Sequence, residues 1–394
     1  MFTALRPGMP GCPDSSRGGI ELNIEAAAVR PGNEAELVEV LRAPGAAYEL
    51  VAGGSKRGIG RPMDAVILDL SALCGIVDYQ PGELVLTARP ATPLAHIEAL
   101  LAGQRQRLGF EPPPALLGPS SEQTLGGVLM ANSSGSRRLA AGSARDHFIG
   151  LRAVNGRGEA FVGGGRVVKT VTGFDLPKAL AGSWGTLAAL TEVTVRVVPA
   201  AEFECTLWFE AAGAAAAVAL CSQALGSVFD VSSAGFVPGR GVALRLEGPA
   251  ASVRSRAAGL TSVLMRAAHA QLEGPDSAGF WRQMGAGAAL ARCPVIWRLS
   301  VSPRQAARIL QQIEPEDFLL DWGGGLIWVG AAEVDAARIR GALHGGHATL
   351  IRAPEQRRRA LAVFEPQAPA LAAIAARFKA AFDPDNRLNP GRMG

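Results

Sequence analysis

The chain has 394 residues, 48% of them hydrophobic, and 39 Lys plus Arg against 35 Asp plus Glu leave a formal net charge of +4. That length suits two domains, or one domain carrying an insertion. So small a positive excess, mostly arginine and spread along the sequence, excludes a nucleic-acid-binding patch. The one dense run, Arg357 to Arg359, reads as a solvated face.

Residues 1–28 begin with a Gly-, Pro- and Ser-rich stretch that lacks the apolar segment of a secretory signal, and they read as a flexible tail. Asn33, followed by Glu34 and Glu36, predicts an N-cap and acidic first turn for a helix reaching about Leu41. Tyr48–Ala52 is a short strand running into Val51-Ala-Gly-Gly-Ser-Lys-Arg-Gly58. Val66–Leu70 is a second strand, and Gly75–Tyr79 with Leu84–Ala88 is a hairpin about Pro81-Gly82. Pro93 opens the helix Leu94–Gly103. A second glycine-rich turn, Gly118-Pro-Ser-Ser-Glu-Gln-Thr-Leu-Gly-Gly127, is followed by Ala131-Asn-Ser-Ser-Gly135. Ile149–Val154 and Glu159–Val162 form a hairpin about Asn155-Gly156. A short helix near Lys178, the turn Gly182-Ser-Trp-Gly185 and the strand Leu190–Val198 complete this part.

After a break at Pro199-Ala-Ala-Glu202 a second unit runs strand (Thr206–Glu210), helix (Ala211–Leu225), strand (Val242–Glu247) and helix (Ala251–Ala270). Strand Val295–Val301, helix Ser302–Ile313 and the hairpin of Phe318–Trp322 with Leu326–Val329 follow. Two β-α-β passes predict a ferredoxin-like sandwich. Leu361–Phe382 reads as helical and ends in the polar tail Phe382–Arg392. The fold class is therefore α+β, with units at 29–199 and 200–350 and a C-terminal segment 351–394. The apolar hairpin Leu326–Val329 and the pair Val363 and Phe364 are core or a subunit contact. No run of about 18 apolar residues is free of charge or helix breakers, so no membrane span is expected.

Two glycine-rich turns, each following an apolar segment, suit a pair of loops gripping one extended polyanion. A diphosphate wants several backbone N–H groups converging on it, and glycine permits both the φ/ψ values and the close approach. Neither G-x-G-x-x-G nor G-x-x-x-x-G-K-[ST] occurs, which disfavours a nicotinamide Rossmann site or a P-loop. The five cysteines, Cys12, Cys74, Cys205, Cys221 and Cys293, form no C-x-x-C and match no metal, iron–sulfur or disulfide framework, as befits a reducing cytoplasm.

The two loops, Val168-Lys-Thr-Val-Thr-Gly-Phe-Asp-Leu-Pro-Lys178, Gly182–Leu187, Thr191–Val195 and Leu388-Asn-Pro-Gly391 resemble the vanillyl-alcohol-oxidase (PCMH) type of FAD-binding domain. Within it, Trp297–Ser300, Asp321–Gly324, Gly346–Leu350 and the tail are similar to the family of FAD-binding glycolate oxidase subunits. The resemblance implies an FAD, oxidation of glycolate or a related 2-hydroxy acid, and a complex with a larger FAD-linked subunit and an iron–sulfur subunit. It also implies a cytoplasmic location, peripheral at the inner membrane through those partners. The C-terminal segment would return to the flavin domain.

By motif position the resemblance puts the FAD diphosphate on Ala52, Gly53, Gly54, Ser55 and Lys56. The flavin and phosphates would lie against Pro119, Thr124, Gly126, Gly127, Ala131, Ser133, Ser134, Gly135 and Gly142. Adenine would meet Val193, and Asn389 and Arg392 would lie near the isoalloxazine. Neither loop holds a His or Cys, so the flavin is expected to be non-covalent. Oxidising a 2-hydroxy acid needs a cation for the carboxylate, a base for the hydroxyl proton and a hydride acceptor. Candidate cations are Arg352, Arg298 and Arg392, and candidate bases are His344 and His347. His344-Gly-Gly-His347 lacks a third ligand, so no metal is expected. Two alternatives stay open: a stand-alone FAD-dependent 2-hydroxy acid dehydrogenase, and a flavin-bearing assembly subunit without turnover of its own.

Overall fold

The computed structural model describes residues 28–114, 123–165, 175–333 and 335–393. Ala28–Val29 (β1), Tyr48–Val51 (β2) and Val66–Asp69 (β3) form a small parallel sheet in the order β1-β3-β2. Helix α1 (Glu34–Arg42) covers it. Its cap is the predicted one: Asn33 Oδ1 accepts from the Glu36 amide at 3.0 Å. Leu37 and Leu41, four residues apart and so on one helix face, bury against Tyr48, Leu68 and Leu388. The C-terminal tail thus enters the core of the first layer.

The second sheet comprises Ile76–Gln80 (β4), Val85–Ala88 (β5), Gln106–Leu108 (β6), Phe148–Asn155 (β7), Ala160–Gly164 (β8) and Ala188–Pro199 (β9). Its order is β4-β5-β9-β7-β8, with β6 also on β9. Leu94–Ala102 (α2) and Leu125–Ala131 (α3) cover one face. The short helices Arg138–Ala141 (α4), Ala144–His147 (α5) and Leu176–Leu180 (α6) fill the connections. Strand β9 buries Ala188 and Leu190 and then Val193, Val195 and Val197 in the same core. The change of parity falls at Thr191, where the pairing with β7 slips by one residue. A bulge there keeps apolar side chains on one face in both halves of a long strand.

The second unit contains more strands than predicted. Phe203–Phe209 (β10), Ala214–Leu225 (α7), Ser233–Val237 (β11), Gly241–Gly248 (β12), Ala250–Leu264 (α8) and Ala270–Glu273 (β13) make one β-α-β-β-α-β motif. Its strand order is β13-β10-β12-β11. Gly274–Gly285 (α9) leads to a second copy. This one consists of Val295–Ser300 (β14), Ala306–Ile313 (α10), Asp317–Asp321 (β15), Leu326–Ala331 (β16), Ala336–Gly341 (α11) and His347–Arg352 (β17). Its order is β15-β16-β14-β17, and Phe236 pairing with Leu320 joins the copies into one eight-stranded sheet. The expected single ferredoxin-like sandwich is therefore two, edge to edge.

The sheet has two apolar faces. Val295, Trp297, Leu299, Ile327 and Val329 pack under the helices of this unit, whereas Ile296, Leu319, Leu326 and Trp328 gather with Trp322 and with Ile59 of the first unit. Leu326–Val329 and Val363 are buried, so they are core and not a subunit contact. Glu355–Ala360 (α12) and Pro369–Phe382 (α13) follow, so the predicted helix from Leu361 starts only at Pro369. Cys74 is disulfide-bonded, contrary to the reading of the cysteine spacing, while Cys205, Cys221 and Cys293 are free and buried. Among the described residues no helix is long and apolar enough to cross a membrane.

Candidate functional site

A cleft opens where β2, α3, the start of β9 and the C-terminal tail converge. Ala52, Gly53, Gly54, Ser55 and Lys56 form one wall; Thr124, Gly126, Gly127 and Ala131 form the other, and Asn389 and Arg392 close the end. Sequence reasoning missed Pro90, Met130, Trp184 and Leu190, which also line it. A signal for Trp184 exists in the turn Gly182-Ser-Trp-Gly185: Trp184 and Gly185 both hold positive φ, at 55° and 70°.

The first wall is a turn closed by Arg57 N–H to Gly54 O (3.1 Å) and Ile59 N–H to Lys56 O (3.0 Å). Gly54 has φ 72°, where a side chain would be strained. Among the described residues the amides of Gly53, Gly54, Ser55 and Lys56 donate to no protein acceptor. Four unpaired N–H groups in succession at a cleft make an anion cradle. Arg57 is turned away, its guanidinium bonded side-on to Glu49 at 2.9 and 2.7 Å. Among the described residues Lys56 Nζ bonds only Ser55 Oγ, at 3.4 Å, and burial pulls its ammonium down to about 8.

On the opposite wall Thr124 caps α3 by accepting from Gly127 N–H at 3.3 Å. Gly126 N–H donates to Pro90 O at 2.8 Å, and a Cβ on Gly126 would stand 2.5 Å from Pro90 Cβ. Gly126→Ala should force α3 off Pro90 and widen the cleft, costing about 1–3 kcal/mol of stability. Urea unfolding of the two proteins measures it, and an unchanged midpoint would refute the tight approach.

The tail locks the first wall. Asn389 Oδ1 accepts from Leu50 N–H (2.8 Å), its Nδ2–H donates to Trp184 O (2.7 Å), and Arg392 Nη2–H donates to Lys56 O (2.6 Å). Asp383 anchors the turn before it by accepting from the amides of Arg387 and Leu388.

Several predicted residues lie elsewhere. Ser133, Ser134 and Gly135 lead from α3 toward the second unit: Ser134 Oγ accepts from Arg138 at 3.2 Å, and Gly135 O accepts from Trp322 Nε1–H at 3.0 Å. Gly142 (φ 81°) shapes the turn against Asp146, and Val193 is wholly buried in the core of the second sheet. Pro119 and residues 168–174 of the recognised stretch lie outside the described residues. His344, His347 and Arg352 do not line the cleft. They sit at β17, the end strand of the eight-stranded sheet, with His347 exposed and Arg352 Nη1–H donating to Ala291 O at 2.7 Å. The structure therefore does not bring the candidate bases to the cleft.

The same arrangement of units occurs in a xylooligosaccharide oxidase from Myceliophthora thermophila C1. It superposes with a TM-score of 0.68 over 93% of this chain and 91% of that one at 13% identity, a likeness of fold alone. Residues 25–164 match the family described as an FAD binding domain. Fold and cleft thus define a PCMH-type FAD-binding protein. In sequence the chain is 33% identical over 343 residues to the glycolate oxidase subunit GlcE of Escherichia coli (strain K12), covering 86% of this chain and 90% of that protein. It is also 34% identical over 132 residues to the glycolate oxidase subunit GlcD of Bacillus subtilis (strain 168), covering 34% and 27% of the two chains. The chain belongs to the GlcE family of glycolate oxidase subunits.

Proposed function

We propose that this chain is the FAD-binding subunit of a glycolate oxidase complex that oxidises glycolate and D-lactate to the 2-oxo acids. In that reading it works with a larger FAD-linked subunit and an iron–sulfur subunit, which takes the electrons onward. The complex is cytoplasmic and meets the inner membrane through those partners. The observation that carries the reading is the row of unpaired amides at Gly53–Lys56 facing Gly126 and Gly127 across the cleft. Lys56 and Arg392, which line the cleft, are cationic, as a diphosphate requires.

FAD, when bound, supplies the hydride acceptor. The chain's own part is to hold the diphosphate on the 53–56 amides and Lys56 Nζ, to press α3 against the cofactor through Gly126 and Gly127, and to close the end with Asn389 and Arg392. No His or Cys stands in either loop, so the flavin is held without a covalent bond and acid precipitation of the purified protein should release all of it. Yellow colour left in the pellet would overturn that attachment.

Lys56 gives the site a pH signature. Burial lowers its amine to about 8, and a diphosphate binds the ammonium form. FAD affinity should be full below about pH 8 and fall by up to about tenfold per pH unit above it. Lys56→Met should weaken FAD by about 10–100-fold at pH 7 and flatten the profile. Fluorescence titration of FAD between pH 6.5 and 9.5 checks both, and a steep profile persisting in the variant would exclude Lys56.

A further inference from the structure

Strand alternation sends Arg245 and Glu247 of β12 to the face of the eight-stranded sheet that meets the first unit, and there they are paired with Glu111, Arg107 and Arg137. Arg298 of β14 lies on the same face, directly opposite Trp328 of β16. Among the described residues its guanidinium makes no hydrogen bond and no ion pair within 4.0 Å, and it lies over Trp322 at 4.8 Å and Trp328 at 5.9 Å. A second guanidinium, Arg138, covers the Trp322 ring at 5.0 Å and, among the described residues, hydrogen-bonds Ser134 Oγ alone. Asp321, beside Arg298, already accepts from Ser136 Oγ–H (2.6 Å) and Trp322 N–H (2.7 Å), and Asp146, whose charge acts on Arg138, accepts from Ser143 N–H and Oγ–H (both 2.8 Å). Burial pushes the Asp321 pKa up to about 6, and burial followed by the nearby Arg138 brings Arg298 down to about 10.

Two guanidiniums walled by indole, beside carboxylates already held by other donors, leave Arg298 with no carboxylate within 4.0 Å among the described residues. The other arginines named from the sequence are engaged: Arg352 with the Ala291 carbonyl, Arg392 with that of Lys56. This cluster adjoins the cleft, because Trp322 and Trp328 pack in one apolar cluster with Trp184, which lines it.

We propose that Arg298, assisted by Arg138 and walled by Trp322 and Trp328, is the carboxylate subsite for the 2-hydroxy acid. The planar guanidinium would take both carboxylate oxygens side-on, and the indoles would keep water from competing. This rests on the function proposed above for its substrate class, and on the geometry alone for its location.

The test is titration of oxalate, a small dicarboxylate, into the FAD-loaded chain, read by the flavin difference spectrum, and into the flavin-free chain, read by calorimetry. Arg298→Ala should weaken oxalate by about 100-fold and Arg298→Lys by about tenfold, since lysine keeps the charge but loses the fork. Arg138→Ala should weaken it several-fold, with FAD content unchanged in all three. Glycolamide, which lacks the charge, should bind wild type and Arg298→Lys equally. Unaltered oxalate binding in both Arg298 variants overturns the proposal, as does inorganic phosphate displacing oxalate at equal concentration, which would mark a general anion hole. A chain that takes up no FAD but binds oxalate through Arg298 would sink the flavin reading and leave this one standing.

Discussion

Replacing Glu247 by alanine should lower the unfolding free energy by about 3–5 kcal/mol. Its carboxylate accepts from Arg107 Nη1–H at 2.6 Å and Arg137 Nε–H at 2.8 Å, and Arg245 Nη2 stands 3.6 Å away. Arg245 in turn bonds Glu111 and Glu204 at 2.8 and 2.7 Å. Arg107, Glu111 and Arg137 belong to the first unit, and Glu204, Arg245 and Glu247 belong to β10 and β12. Removing one of three acids strands buried positive charge between the units, whereas Glu247→Gln keeps the shape and should cost less. Equilibrium unfolding in urea is the measurement. A loss below about 1 kcal/mol would mean that the network behaves like exposed ion pairs.

Acid should reveal the same network. Burial would raise the Glu247 carboxyl, but Arg245, Arg137 and Arg107 outweigh it and hold it down at about 2, against an ordinary 4.5. For a lowered carboxyl the stabilisation is fully present above the unfolded value and is lost as pH falls toward the folded one. Wild type and Glu247→Gln should therefore converge in stability between about pH 4.5 and 2.

The second large effect falls on the cofactor. Asn389→Ala should weaken FAD binding by about 100-fold or more, because it leaves the Leu50 amide and the Trp184 carbonyl unpaired at the cleft. Asn389 also holds φ 44°, which asparagine tolerates better than alanine. Asn389→Asp keeps an acceptor for Leu50 but has no donor for Trp184, and it adds a negative charge beside the proposed diphosphate. It should be worse than alanine for FAD and no worse for folding. Calorimetric titration of both variants decides this, and affinities within threefold of wild type would remove the tail from the site.

What the sequence makes legible follows from how local each signal is. The Asn33 cap, the hairpins and the two glycine walls rest on a few adjacent residues, and all but the part of the second loop at 115–122 are found where expected. Strand β11, Ser233-Ala-Gly-Phe-Val237, offers small residues without alternation, and β13 is a short edge strand, so neither announces itself. Missing them hides the duplication of the ferredoxin-like motif. Predicting His344, His347 and Arg352 from residue type alone fails for a different reason: whether a side chain meets a cleft depends on which strand ends at the sheet's outer edge. Arg298, also nominated by type, is distinguished only when the partners of every neighbouring charge are seen.

The cleft joins Leu50 to Asn389, 339 residues further along the chain. At ordinary translation speeds of about 5–20 residues per second, roughly 20–70 s separate their appearance on the ribosome. A nascent chain therefore carries a half-built cradle for most of its synthesis. Cofactor capture must be among the last events of maturation, and flavin supply should govern how long newly released molecules stay exposed to proteases.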